Sequence, residues 1–310
     1  MADKMATRQA YGDFLVEKGK TKKNLIVMDA DLSKSTMTAG FAKAYPDRFF
    51  NMGIAEQNLY GVAAGLALSG KVVCASTFAM FASGRAFEII RNSIGYTRAN
   101  VKVCATHAGI SVGEDGASHQ TFEDIALMRT VPGMTVLNPS DANSAKKLLE
   151  QAVETDGPFY VRLGRLAVPV LYADDADIRV GRGQCLRDGK DYTVIATGLM
   201  TGEALAAAET LAAEGVDVRV IDMHTIKPLD GEIIEKAAAE TKGLVTAEEH
   251  SVIGGLGGAV AAYTAAHCPV RIAFVGQKDT YGESGKPPEL LQKYGMTAAD
   301  IASAVRSLAG

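Results

Sequence analysis

Two stretches of this sequence carry the residue types and spacing that chemistry requires. The first is Asn51-Met-Gly-Ile-Ala-Glu-Gln-Asn-Leu-Tyr-Gly-Val-Ala-Ala-Gly-Leu-Ala-Leu-Ser-Gly70, a helical pattern of small and apolar residues with one carboxylate, Glu56, in its first turn. Steps of three or four residues from Glu56 reach Leu59, Tyr60, Ala63, Leu66 and Ala67, so its face is apolar and belongs against protein. The opposite face carries Ala55, Val62, Ala64 and Leu68 with Gly61 and Gly65, and the helix reads as buried on more than one side. A carboxyl group taken out of water resists ionisation and can hold a proton, the state a general acid needs. The plainer reading is a glutamate placed at the positive end of the helix dipole.

The second stretch, Thr106-His-Ala-Gly-Ile-Ser-Val-Gly-Glu-Asp-Gly-Ala-Ser-His-Gln120, sets His107, Glu114, Asp115 and His119 among three glycines directly after a strand-like run. Glycines let backbone approach a ligand closely while the polar groups turn into one cleft. A metal site of His107, Asp115 and His119 is conceivable, but its spacing fits no established metal pattern. Two smaller loops join these. Asp31-Leu-Ser-Lys-Ser35 is rich in hydrogen-bonding groups, or is a helix start capped by Ser33 or Ser35. Ser76-Thr-Phe-Ala-Met-Phe-Ala-Ser-Gly-Arg85 offers Phe78 and Phe81 as an apolar floor, or as ordinary core. Gly254-Gly-Leu-Gly-Gly258 lacks both the dinucleotide spacing and the phosphate-loop lysine, and close helix packing explains it. His224 and His267 fall at element ends, where capping or surface roles are expected.

The elements that must position these groups are α/β. Apolar runs at 24–30, 71–76, 101–106, 134–137 and 159–163 read as strands, separated by helical patterns at 6–18, 56–68, 79–96, 122–130 and 141–154. Near-continuous apolar strands between helices imply parallel pairing with both sheet faces covered. Periodicity lapses between 166 and 190, around Pro169, Gly181, Gly183 and an acidic run, which reads as a linker. Strands at 192–196, 216–222, 243–246 and 271–275 then alternate with helices at 201–213, 231–241 and 255–266, and a last helix opens at Thr297-Ala-Ala-Asp300. The expected organisation is a domain at 1–165, the linker, and a smaller α/β domain at 191–310, with ligands off the carboxyl ends of the strands.

With 310 residues, 47% hydrophobic content and a formal charge of −4 spread along the chain, no footprint for nucleic acid or an anionic membrane is present. Cys74, Cys104, Cys185 and Cys268 lie far apart and read as buried free thiols. The first residues lack an apolar signal core and no run is long enough to span a bilayer, so a reducing cytoplasm is the expected location.

Together the loops resemble the transketolase family, specifically its pyrimidine-binding domain followed by its C-terminal domain. Gly53-Ile-Ala-Glu-Gln57 looks like the segment bearing the cofactor-activating glutamate, and Thr106-His through Gly113-Glu-Asp-Gly to His119-Gln is similar to the substrate loop. Glu248-Glu-His250, Gly254-Gly-Leu-Gly and Gly282-Glu-Ser-Gly285 resemble the C-terminal domain. The resemblance implies thiamine diphosphate, with Glu56 bonded to the pyrimidine N1′ to promote its imino tautomer, Phe81 and Phe78 packed on the ring, and Asp31 and Leu32 nearby. It implies that Arg8, Ser35, His107 and Arg162 contact the substrate phosphate, while Asp115 and His119 bind sugar hydroxyls and the reacting oxygen; Glu56, His119 and His107 are the catalytic candidates.

Three departures qualify that picture. Ala108 replaces an aspartate that reads a substrate hydroxyl, and Gly84 replaces an aromatic of the pyrimidine pocket. No Gly-Asp-Gly followed by Asn, the motif that holds Mg2+ and diphosphate, is present. The expectation is therefore the C-terminal subunit of a split transketolase, cytoplasmic, paired with an N-terminal diphosphate-binding subunit as a dimer of heterodimers and acting on sugar phosphates. Deoxyxylulose phosphate synthase and the 2-oxoacid dehydrogenase beta subunit resemble these motifs less well. A non-catalytic assembly subunit has no need of Glu56, Asp115, His119 and both arginines.

Overall fold

The computed structural model describes residues 4–309. In the first half β1 (Lys4–Ala6) leads into α1 (Thr7–Thr21), and β2 (Leu25–Asp29), α2 (Ala39–Ala44), β3 (Phe49–Asn51) and α3 (Glu56–Leu68) follow. Next come β4 (Val72–Phe78), α4 (Phe87–Ile89), β5 (Val101–Thr106), α5 (Asp124–Thr130), β6 (Thr135–Leu137), α6 (Ala142–Glu154), β7 (Phe159–Arg162) and β8 (Ala167–Pro169). The second half holds β9 (Gln184–Arg187), β10 (Tyr192–Ala196), α7 (Met200–Ala212), β11 (Val218–Asp222), β12 (Thr225–Lys227) and α8 (Gly231–Glu240). β13 (Leu244–Ser251), α9 (Leu256–His267), β14 (Ile272–Gln277), α10 (Pro287–Lys293) and α11 (Ala298–Ala309) complete it.

The expected α/β architecture is what forms: two mostly parallel sheets, each flanked by helices. The larger has seven strands in the order β12-β6-β7-β5-β4-β2-β3, and only β12, borrowed from the second half, runs antiparallel. Strand residues alternate between two cores. Val27, Cys74, Cys104 and Val161 meet Tyr11, Phe14 and Leu15 of α1 and Leu148 and Leu149 of α6, whereas Ile26, Met28, Val73, Ala75 and Val103 meet Leu59, Tyr60 and Ala63 of α3 and Ile90, Ile94, Ile125 and Met128. Burial on both faces, at about 1.5–3 kcal/mol for each large aliphatic side chain, is why these strands had to be continuous apolar runs. The smaller sheet, β14-β13-β10-β11-β9, is parallel except for β9.

Several expectations are corrected. The stretch 166–190 contains β8, antiparallel to β1, and β9, part of the second sheet. These short strands, with β3 and β12, are three or four residues long and so leave no apolar run to detect. The helix expected over 79–96 is broken into wide turns at Phe81–Arg85 and Ile90–Gly95 on either side of α4, and the Ala86 N–H reaches back to the Phe81 carbonyl at 3.2 Å. Such π-type turns recur at functional sites. Cys74 and Cys104 are buried free thiols, but Cys185 is exposed on the edge strand β9 and Cys268 is half-buried. His224 is fully buried at the end of β11, with Nδ1 3.0 Å from the Thr225 hydroxyl, and is not a surface group. No helix among the described residues is long and apolar enough to cross a membrane.

Candidate active site

Because β5, β4, β2 and β3 are adjacent and parallel, the segments after them, 107–120, 79–85, 30–38 and 52–55, line one edge of the large sheet. That edge is where open parallel sheets place their ligands. Glu56 opens α3 directly behind the last of these segments. It is 6% exposed, and among the described residues its carboxyl group has no hydrogen-bond partner. α3 packs on the Phe81–Arg85 turn, to which Gln57 Nε2 donates at the Arg85 carbonyl, 3.4 Å away. The Tyr60 and Thr77 hydroxyls nearby are fully buried without partners. Unused hydrogen-bonding capacity is therefore left on α3 and β4 beside the turn that carries Phe81.

The loop after β2 is set by Asp29, a buried carboxylate that accepts the Leu32 N–H at 2.6 Å and the Thr36 and Thr38 hydroxyls at 2.6 and 3.0 Å. Burial raises its pKa while these donors pull the other way. Neither Ser33 nor Ser35 caps α2, since Asp29 holds the loop and α2 begins without a side-chain cap. Asp31 is exposed, adopts φ +64°, and is tied to Asn51, whose Oδ1 accepts the Asp31 and Gly53 N–H groups at 3.0 Å each. Leu32 is half-buried. The loops after β2 and β3 are thereby fastened to each other.

Beside them Arg8 Nη1 donates to the Ser35 carbonyl at 2.7 Å and lies 3.3 Å from His107 Nε2. A guanidinium group can only donate, so Nε2 accepts and the ring proton sits on Nδ1, 2.9 Å from the Thr106 hydroxyl. His107 is buried, has φ +57°, and stacks on Phe78 at 3.9 Å between centroids. Burial, reinforced by Arg8, Arg165 and His119, pushes its pKa down to about 3, so the imidazole is neutral at ordinary pH. Phe78 lies 6.0 Å from Phe81 in a nearly parallel arrangement, and half-buried His119 sits edge-on to Phe81 at 5.3 Å. Phe81 is the more accessible of the two rings, and Phe78 backs His107.

The low value for His107 gives a direct test. Between about 3 and its ordinary 6.5 the unfolded chain binds a proton that the native chain refuses, so this group's contribution to stability is present above pH 6.5 and is lost as pH falls. Denaturant unfolding of wild type against His107→Gln should show wild type losing about 1–2 kcal/mol relative to the variant between neutral pH and pH 5. A parallel pH dependence in both proteins would rule out a neutral buried imidazole.

One expected substrate contact is displaced. Arg162 closes β7, is 3% exposed, and its Nε and Nη2 bind the Asp124 carboxylate at 2.7 and 3.3 Å, while Nη2 also donates to the Glu249 carbonyl at 2.8 Å. Its guanidinium is engaged inside the protein and not at the edge of the sheet. Arg165, just past the end of β7, is the arginine whose positive charge bears on both Arg8 and His107, and its Nη1 donates to the Val112 carbonyl and to Glu114 Oε2, the latter at 3.1 Å. The rule that ligands sit beyond strand ends points to this residue, because Arg162 falls within the run 159–163 and Arg165 beyond it. Asp115 is exposed near the top of the same loop. Among the described residues no group of His, Cys, Asp and Glu is gathered to hold a metal ion, and His107, Asp115 and His119 do not form one.

Two family models match, the transketolase pyrimidine-binding domain over residues 3–170 and the transketolase C-terminal domain over 181–301. The chain belongs to the transketolase family. It is 50% identical over 301 residues to a Methanocaldococcus jannaschii protein described as a transketolase C-terminal section, covering 96% of this chain and 94% of that one. Human transketolase is 39% identical over 312 residues, 99% of this chain and 50% of that protein, so the chain spans about half of it. The solved structure of a split gene transketolase, described as an inactive beta4 tetramer, superposes with a TM-score of 0.92 at 54% identity and covers 98% of both chains. Within the transketolase fold the glycine loop 254–258 is explained without a ligand: the Leu256 and Gly257 N–H groups donate to Glu248 at 2.6 and 2.8 Å.

Proposed function

We propose that this chain is the C-terminal subunit of a thiamine diphosphate-dependent transketolase that transfers a two-carbon ketol unit from a ketose phosphate to an aldose phosphate. A separate diphosphate-binding subunit supplies the ligands for Mg2+ and diphosphate. The observation that carries this reading is Glu56, a buried carboxyl group with unspent hydrogen-bonding capacity, at the same sheet edge as Phe81 and the Arg8, His107 and Arg165 cluster. Bound thiamine diphosphate would supply the carbanion chemistry that carbon–carbon cleavage needs.

Each residue then has a task. Glu56 bonds the coenzyme's pyrimidine at N1′ and holds or releases a proton there. Phe81 packs against that ring, and Asp31 and Leu32, held by Asn51 and Asp29, adjoin it. Arg8, Arg165 and Ser35 bind the substrate phosphate, a use suited to two fixed cations and a neutral donor, and neutral His107 adjoins it by accepting from Arg8 and orienting that guanidinium. His119 and Asp115 take the reacting oxygen and the sugar hydroxyls. Ala108 is 2% exposed and presents no polar atom to a substrate. Gly84 is exposed, and only the flexible end of Met80 would meet a side chain there.

The outer face of α3 supports a partner subunit. Val62 is 37% and Leu68 63% exposed, Gly61 and Gly65 have no neighbour within 4 Å of where a side chain would start, and Ile54 just before the helix is 84% exposed. This chain buries one side of a helix that is apolar nearly all round. Val62→Glu combined with Leu68→Glu is expected to leave the isolated chain's stability within about 0.5 kcal/mol, yet to abolish assembly in sedimentation velocity. Unchanged assembly would place the joint elsewhere.

The function is tested by mixing the chain with a diphosphate-binding transketolase subunit, Mg2+ and coenzyme. Turnover of xylulose 5-phosphate with ribose 5-phosphate, and none of pyruvate with glyceraldehyde 3-phosphate, is the expected result. Tight, Mg2+-dependent coenzyme binding by the pure chain alone would overturn the division of labour.

A further inference from the structure

Among the described residues the hydrogen-bond and stacking partners of His107 all belong to the larger domain, yet the smaller domain grips the loop that carries both histidines. Glu249, buried near the end of β13, accepts the Ser111 N–H on Oε1 at 2.6 Å. Its carboxyl group occupies the space a side chain on Gly109 would need, with a β-carbon there only 2.4 Å away, and Gly109 has φ +80°. Glu249 is itself braced, since Arg162 donates to its backbone carbonyl while paired with Asp124, and Tyr160 Oη donates to the same carboxylate at 2.7 Å. A second anchor lies at the other end of the loop. Gln120 Nε2 donates to the Glu283 carbonyl at 2.9 Å and fills the space beside Gly282, while Ser284 lies against Gly116. The two motifs of the smaller domain, Glu248-Glu-His250 and Gly282-Glu-Ser-Gly285, thus converge on one loop of the larger one.

We propose that Glu249 is a positioning residue for the active site: through the Ser111 N–H it fixes the backbone of 109–111, and with the Gln120 anchor it sets where His107 and His119 stand. This rests on the reading of that loop as the substrate-handling segment. A carboxylate accepting a backbone N–H is a strong hydrogen bond, and one formed from another domain sets the loop's place only when both domains are docked. The smaller domain therefore has a part in the reaction without touching a reactant.

Hydrogen exchange read by mass spectrometry on the whole chain tests the clamp without any assay of activity. Glu249→Ala is expected to speed exchange in peptides covering 109–116 about tenfold or more, with β2 and β4 unchanged. Glu249→Gln should stay near wild type, because its amide oxygen still accepts from Ser111. No change in Glu249→Ala, faster exchange throughout the chain, or a Gln variant as loose as the Ala variant would each overturn the proposal. In the two-subunit mixture kcat/KM should fall about tenfold in Glu249→Ala and recover in Glu249→Gln. If the wild-type mixture transfers no ketol unit, the functional reading fails, and the exchange result still decides the clamp.

Discussion

Glu56→Ala is expected to lower turnover of the two-subunit mixture by about a hundredfold or more, the range that a positioned proton-transfer group supplies, while the chain stays folded. The second half of that expectation follows from the environment of the side chain. Glu56 is 6% exposed and has no hydrogen-bond partner among the described residues, so its removal strands no other buried group. The side chain makes no hydrogen bond that the fold would lose, and its retention at the start of a buried helix face calls for a functional reason. Glu56→Gln sharpens the test, because the amide keeps the shape and can hydrogen-bond but cannot exchange a proton. It should be nearly as slow as the alanine variant, with a thermal midpoint at or above that of wild type. Near-normal turnover in either variant would remove Glu56 from the chemistry.

The second large effect separates two arginines three positions apart. Arg162→Ala leaves the Asp124 carboxylate and the Glu249 carbonyl buried without their cation, and is expected to destabilise the chain by about 3–5 kcal/mol. Arg165→Ala removes a half-exposed cation, 34% accessible, whose ion pair with Glu114 is open to solvent, so stability should change by less than about 1 kcal/mol. Its effect belongs in binding: KM for a phosphorylated ketose should rise roughly tenfold or more, as expected for a lost charged hydrogen bond, with little change for an unphosphorylated one. Thermal unfolding and kinetics on the same preparations decide the matter. A stable Arg162→Ala enzyme with a selective defect on phosphorylated substrates would reverse the two roles.

This pair shows how legible the site was. Two stretches of suitable residue types and the family resemblance led to Glu56, Arg8, His107, Asp115 and His119 as candidates, and the structure brings Arg8, Ser35, His107, His119, Phe78 and Phe81 together at one end of the sheet. Arg162 and Arg165 were harder to tell apart, since one lies within the run 159–163 and the other only two residues past it. What distinguishes them is Asp124, 38 residues away in sequence, and no local pattern predicts that pairing. For the same reason Asp29 goes unremarked and Glu249 reads only as part of the Glu248-Glu-His250 motif, without a role. Each looks like an ordinary acid beside a strand until the loop it holds is in place.

The alternation of mostly apolar strands with helices was decided by sequence alone, because a strand buried on both faces favours apolar residues over most of its length. So was the greasy helix behind Glu56, whose repeat specifies its faces wherever it packs. The short edge strands, the widened turns around α4, the burial of His224 and the exposure of Cys185 were settled only by tertiary structure. These depend on which neighbour lies alongside, and a segment of three or four residues carries too little local preference to choose one. The neutral state of His107 is the clearest instance: its low pKa comes from burial and from the cations of Arg8 and Arg165, neighbours delivered by β1, α1 and β7 from opposite ends of the domain.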